Sequence, residues 1–228
     1  MKNSKQLGRT IGLLLIVVIT TGIPSTLFRG LSTSFSRTPE FLEKIASGST
    51  MVPFVVLLSF LASLAWLVIV ALVFPLMKKY NYSLALLFMG LWILCFSISL
   101  YGDIAHLSLL AIGKEAGQAS TSHVGNFSAL GFLKVQDYIW AHFVTLVLYT
   151  SATLIFFYFL FRTKWIPRFL SVWGLIAISV VFIASWLNIF GVYTGEYPFM
   201  HNGVHMIILT IWLTIKGFQE SAGLPNTA

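Results

Sequence analysis

Apolar positions along this chain gather into six long runs. They cover about residues 11–27, 51–77, 83–113, 138–161, 169–191 and 201–218. A helix needs roughly 20 mostly apolar residues to cross a bilayer, and the runs are of that order. None shows the period-two alternation of a membrane barrel, and only a helix satisfies its backbone within one segment. The pattern predicts an all-α integral membrane bundle of six transmembrane helices, a single domain over residues 1–228. The third run is too long for a simple span. The turns at Lys78 to Tyr82 and Arg162 to Arg168 are short, which predicts antiparallel neighbours on either side. The segments about 30–50 and 114–137 are longer, and the second, rich in Gly, Ser and Thr, reads as a mobile loop.

The first run begins like a signal peptide, with Lys2, Lys5 and Arg9 ahead of it. No A-x-A-like site follows, however. The chain reads Thr21-Gly22-Ile23-Pro24-Ser25 and stays apolar to Phe28. A retained helix is expected, kinked at its outer end by Pro24.

Composition agrees with the pattern. Charged residues make up 9% of the chain and hydrophobic ones 57%, with a mean hydropathy of +0.89; an ordinary soluble domain carries about 25% charge. The 15% aromatic content excludes a disordered chain, and the single cysteine, Cys95, excludes a disulfide scaffold. A net charge of +7 would suggest nucleic acid in a soluble protein. Here the cations sit at the ends of apolar runs, so no nucleic-acid partner is expected. Lys2, Lys5, Arg9, Lys78, Lys79, Arg162, Lys164, Arg168 and Lys216 fall on one side. Arg29, Arg37, Lys44, Lys114 and Lys134 fall on the other. Nine against five places both termini in the cytoplasm.

The stretch Phe157-Tyr158-Phe159-Leu160-Phe161-Arg162-Thr163-Lys164-Trp165-Ile166-Pro167-Arg168-Phe169-Leu170-Ser171-Val172-Trp173-Gly174-Leu175 and the ending Ile211-Trp212-Leu213-Thr214-Ile215-Lys216-Gly217-Phe218 carry a resemblance. Both resemble a bacterial family of uncharacterised membrane proteins known as domain of unknown function 4386. The resemblance implies about six helices, a bacterial inner (plasma) membrane and no known activity. The family pattern has an Arg and a Glu within the third helix and a Glu about six residues before the final Trp. This chain has Trp92 and Cys95 near the first pair and His205-Met206 near the second. In the Ile166-Pro167-Arg168 turn, proline at a helix start costs little. Arg162, Lys164 and Arg168 can face lipid phosphates there, with Trp165 at headgroup level.

Ionisable groups inside a span are costly, so each one is a functional candidate. They gather in the outer halves of the runs. Ser99, Asp103 and His106 share one helix face by their spacing, as do His142, Thr145 and Tyr149. Asp137 stands just before the fourth run, Ser185 and Asn188 close the fifth, and His201 and His205 open the sixth at i and i+4. His123 falls in an outer loop. At 1.5 Å per residue, His205 lies about 16 Å from Lys216, near mid-membrane. The expectation is a polar, His-rich pocket that opens outward and binds a small or lipid-like ligand, with Ser99, Asp103, His106, His142, Tyr149 and Asn188 in its wall.

The same residues admit other readings. His201 and His205 with Asp103 and His142 are a ligand set compatible with zinc, which could activate water against a lipid bond. Asp103 with His201-Asn202-Gly203-Val204-His205 is similar to the Asp and His-x-x-x-His of ceramidase-type membrane hydrolases. Haem b between His142 and His205 is the other cofactor option. The cluster can also be plain structure: interfacial residues in water, with His205 bonded to Tyr149 or Ser185. The chain would then be an accessory subunit of a membrane complex. Cys95 reads as a buried core thiol. No Gly-x-Ser-x-Gly or phosphate loop is present.

Overall fold

The computed structural model describes residues 2–33, 41–47, 50–118 and 124–219; Arg37 and His123 lie outside them. Among the described residues all regular structure is helical. The helices are α1 Lys2–Thr33, α2 Phe41–Ser47, α3 Met51–Tyr80, α4 Tyr82–Ala116, α5 Val124–Thr163, α6 Arg168–Ile189 and α7 Tyr197–Lys216. All but α2 are long and apolar enough to cross a membrane. The protein is a multi-pass membrane protein with the six spans that the apolar runs predict.

The differences lie at the ends of the runs. α1 continues past Pro24 to Thr33, so Arg29 is a helical residue and not a loop cation. α5 begins at Val124, so most of the segment 114–137 is not the loop expected of it. Its Gly, Ser and Thr content hides a stripe at a spacing of four, which carries Phe127, Gly131, Val135 and Ile139. Phe127, Val135 and Ile139 pack with Phe41, Leu42 and Ile45 of α2 and with Val52, Leu109 and Leu110. α2 is too short to register as a hydrophobic run, and its burial is what makes it a helix. It approaches α4 closely at Gly113, where a Cβ would stand 2.9 Å from the Leu42 carbonyl oxygen.

The helices pack into two compact units. The first comprises Met1–Val17, Ala65–Phe96 and Phe143–Ala228; the second comprises Val18–Leu64 and Ser97–His142. α1, α3, α4 and α5 each contribute to both.

The first unit is built on aromatic and small-residue packing. Phe88, Phe157, Phe159, Leu160 and Ile178 are fully buried. Trp66 and Trp92 stack with centroids 4.5 Å apart, and both meet the edge of Tyr149. In lipid, helices gain little from hydrophobicity when they associate, so close packing must hold them. Gly8 and Gly12, four residues apart on α1, supply it. A Cβ on Gly12 would lie 2.5 Å from the Thr214 backbone nitrogen, and one on Gly8 would collide with Phe218. The Arg9 guanidinium between them donates to the Ile215 carbonyl at 3.0 Å.

Gly12→Ala is therefore expected to destabilise the detergent-solubilised protein by about 1–3 kcal/mol through overpacking. Gly90→Ala serves as the control. Gly90 has nothing within 4 Å of a Cβ, and this change should be neutral or stabilising by up to about 1 kcal/mol. Thermal unfolding midpoints of the two variants decide it, and equal midpoints would remove the close contact from the account.

Candidate functional site

The second unit holds a buried ion pair. Arg29 on α1 is 5% exposed and Asp103 on α4 is 4% exposed. The Arg29 Nη2 donates to Asp103 Oδ1. The guanidinium also lies 5.4 Å from the centroid of the Tyr138 ring on α5, a cation–π contact. Tyr138 is edge-on to His106, with centroids 5.5 Å apart, and lies 6.2 Å from the His142 ring. Ser59 of α3 lies beside the Asp103 carboxylate.

Neighbouring turns brace this group. Ser25, one turn before Arg29, donates to the Val55 carbonyl at 3.2 Å. Ser99, one turn before Asp103, sits with its hydroxyl 3.4 Å from that of Ser63. Lys134 and Asp137 form a second, more open ion pair at 2.7 Å in the turn that leads into Tyr138.

Asp103 also takes part in a surface groove of about 350 Å³. The groove is lined by Pro53, Val56, Leu57, Phe60, Leu100, Asp103, Ile104 and Leu107. Seven of these are apolar, and Leu57 and Ile104 are more than half exposed. On a membrane-spanning surface such a groove faces acyl chains, and Asp103 is the one ionisable residue in its wall.

Ser99, Asp103, His106 and His142 thus all belong to the second unit, with Asp103, His106 and His142 gathered around Arg29 and Tyr138. Neither Arg29 nor Tyr138 was a predicted site residue. By its place at the end of a run Arg29 reads as an outer-loop cation, and Tyr138 as the start of a span. A signal for Arg29 does exist: Thr21, Ser25 and Arg29 repeat every four residues, a polar stripe on one helix face.

Tyr149, Asn188, His201 and His205 belong to the first unit, where each has a local role. Tyr149 packs against the two tryptophans and lies near Asn202 and Thr153. The Asn188 amide donates to the Ala184 carbonyl at 2.8 Å and to the Thr194 hydroxyl at 2.9 Å, which secures the end of α6. The exposed His201 accepts from the Trp173 indole N–H at 3.0 Å. His205 is fully buried, with Nε2 2.9 Å from the Leu170 carbonyl oxygen. Its ring stands between Phe157 and Trp173. The expected bonds from His205 to Tyr149 or Ser185 are replaced by this one, and the Ser185 hydroxyl instead donates to the Val181 carbonyl. Trp165 is 3% exposed and packs on Phe159 and Phe218.

The cofactor readings fit poorly. Among the described residues no group of three or more His, Cys, Asp or Glu side chains could hold a metal ion. The set His201, His205, Asp103 and His142 is accordingly not assembled as a zinc site. Against a carbonyl oxygen, His205 Nε2 must carry the proton, and this nitrogen is therefore not open to zinc or to a haem iron. The His201 Nε2 is likewise occupied by Trp173. Cys95 is buried, with its thiol 3.7 Å from the Thr145 carbonyl, as a core thiol would be.

The ion pair makes a prediction about stability. Removing one partner leaves an uncompensated charge in a nonpolar site, at a cost of about 3–5 kcal/mol. Arg29→Leu and Asp103→Leu should each be destabilised on that scale. The double variant should recover most of the loss, because paired apolar replacements are often neutral. Unfolding midpoints in detergent for all four members of the cycle measure this. Additive losses would mean that the two side chains do not depend on each other.

No curated protein and no solved structure matches the chain. One family model does match, over residues 10–217, and it spans the ion pair, Tyr138 and every helix except the first eight residues of α1. The chain belongs to the family described as Domain of unknown function (DUF4386).

Proposed function

We propose that this protein resides in a bacterial inner membrane with both termini in the cytoplasm and binds a lipid-like molecule at the groove beside Asp103. The acyl part of the ligand lies along Leu57, Phe60, Leu100 and Ile104. Its polar end exchanges hydrogen bonds with Asp103 and, behind it, Arg29. One observation carries this reading: an otherwise apolar groove has a carboxylate in its wall, and that carboxylate is held in place by a buried guanidinium. Intramembrane charges are retained at a cost that function usually explains. The role is binding or handling of the ligand. The histidines beside the ion pair stand against Tyr138.

The cation bias supports the orientation. The turns at Lys78–Lys79 and Arg162–Arg168, with the two ends of the chain, carry nine of the 14 Lys and Arg residues.

Two experiments test these statements. A phospholipid with a photoreactive group on its acyl chain, incorporated in membranes with the protein, should label Leu57, Phe60 and Ile104 at least several-fold above other exposed apolar positions. Ile104→Trp, which fills the groove, should suppress that labelling. Labelling spread evenly over exposed positions such as Ile176 and Ile211 would rule the groove out. For orientation, Asn126→Cys in intact cells should react with a membrane-impermeant maleimide, whereas Lys164→Cys should react only after the membrane is opened. The reverse pattern would invert the topology.

A further inference from the structure

The turn between α5 and α6 carries three cations within residues 162–168: Arg162, Lys164 and Arg168, all exposed. Cations at cytoplasmic helix ends are a general tendency, and on a loose turn they would amount to a diffuse charge. This turn is fixed. Trp165 is buried to 3% exposure and packs on Phe159 at 5.6 Å and Phe218 at 4.9 Å. Its carbonyl accepts from the Gln219 backbone N–H at 2.7 Å. Ile166 is wholly buried, and so is the Thr163 hydroxyl, which donates to the Phe159 carbonyl at 2.8 Å.

Lys164 sits between these anchors with φ at +57°, the one described non-glycine residue with a positive φ. A lysine in this left-handed conformation is uncommon and carries a conformational cost. Arg162 and Arg168 are held as well, over the rings of Tyr158 at 5.9 Å and Phe161 at 5.8 Å. No acidic side chain among the described residues pairs with any of the three. The described acidic residue of this unit is Glu196, which stands at the start of α7, whereas Phe218 follows the end of that helix.

A fixed set of three cations without a counter-charge among the described residues, in a turn that joins two membrane spans, is complementary to an anion at the membrane surface. We propose that residues 162–168 form a binding site for the phosphate headgroup of an anionic phospholipid, with Arg162, Lys164 and Arg168 as its ligands. The site is separate from the groove beside Asp103 and does not depend on a ligand there. Its chemistry is phosphate recognition by preorganised cations, and the bilayer itself supplies the occupant.

Native mass spectrometry of the full chain in a neutral detergent tests the site. The protein is titrated with phosphatidylglycerol, with phosphatidylcholine and, in competition, with inorganic phosphate. Phosphatidylglycerol adducts should form on the wild type at lower concentration than phosphatidylcholine adducts and should survive excess phosphate. Arg162→Gln/Lys164→Gln/Arg168→Gln should need about a hundredfold more phosphatidylglycerol, at roughly a kcal/mol per cation. Lys78→Gln/Lys79→Gln should bind as the wild type does. Lys164→Gly guards against misfolding. Glycine is at ease at this φ, so this variant should be as stable as the wild type or more so, yet bind about fivefold more weakly. Equal losses in the two lysine and arginine sets would overturn the proposal. So would equal binding of the two lipids, displacement by free phosphate, or full binding by Lys164→Gly.

Discussion

A bilayer core offers no water to a charge and no hydrogen bond to an open backbone. The second consequence makes the described spans of this chain helical. The first governs two ionised side chains that the second unit buries almost completely, Arg29 and Asp103. Neither is stable alone in that setting, and each removes the other's penalty only if α1 and α4 meet in one register. The pair therefore sets the alignment of two helices as well as neutralising two charges. Ser25 on the Val55 carbonyl and Ser99 against Ser63 hold the adjacent turns in the same alignment. Tyr138 adds a third helix through its ring face.

The first unit answers the same constraint without ions. Its helices associate by close approach at Gly8 and Gly12 and by stacked rings at Trp66, Trp92 and Tyr149. Lipid tails are as apolar as leucine, so the gain comes from contact density. That makes glycine and tryptophan, the smallest and largest side chains, natural complements in a single core.

The spans were legible in the sequence because hydropathy reports directly on the solvent that each segment meets. Helix ends were less so. Residues 124–137 carry loop-forming types, and their helical stripe has meaning only once α2 is there to cover it. The site was half legible. Asp103, His106 and His142 stand out as polar residues in apolar runs. Arg29 does not, because a cation at the end of a run reads equally well as a loop residue; only its partner on α4, distant in the chain, makes it intramembrane. The His201–His205 spacing suggested a metal. Their nitrogens instead meet Trp173 and Leu170, partners that no local pattern could have named.

The two units also differ in what their polar groups leave to a ligand. In the first, Thr150, Ser185, Thr210 and Thr214 donate to carbonyls four residues back on their own helices. Such bonds satisfy a hydroxyl locally and link nothing to a neighbouring helix. A ligand gains little by competing with them, since the geometry is fixed within one turn. In the second unit the ion pair joins ionised side chains of two different helices. A side chain can rotate and exchange one partner for another of like chemistry, so a polar headgroup can replace part of what Asp103 receives from Arg29 without unmaking a helix. The groove beside Asp103 would supply an apolar path to that exchange, and for this reason the proposed binding site is set at the ion pair rather than at the histidine pair of the first unit.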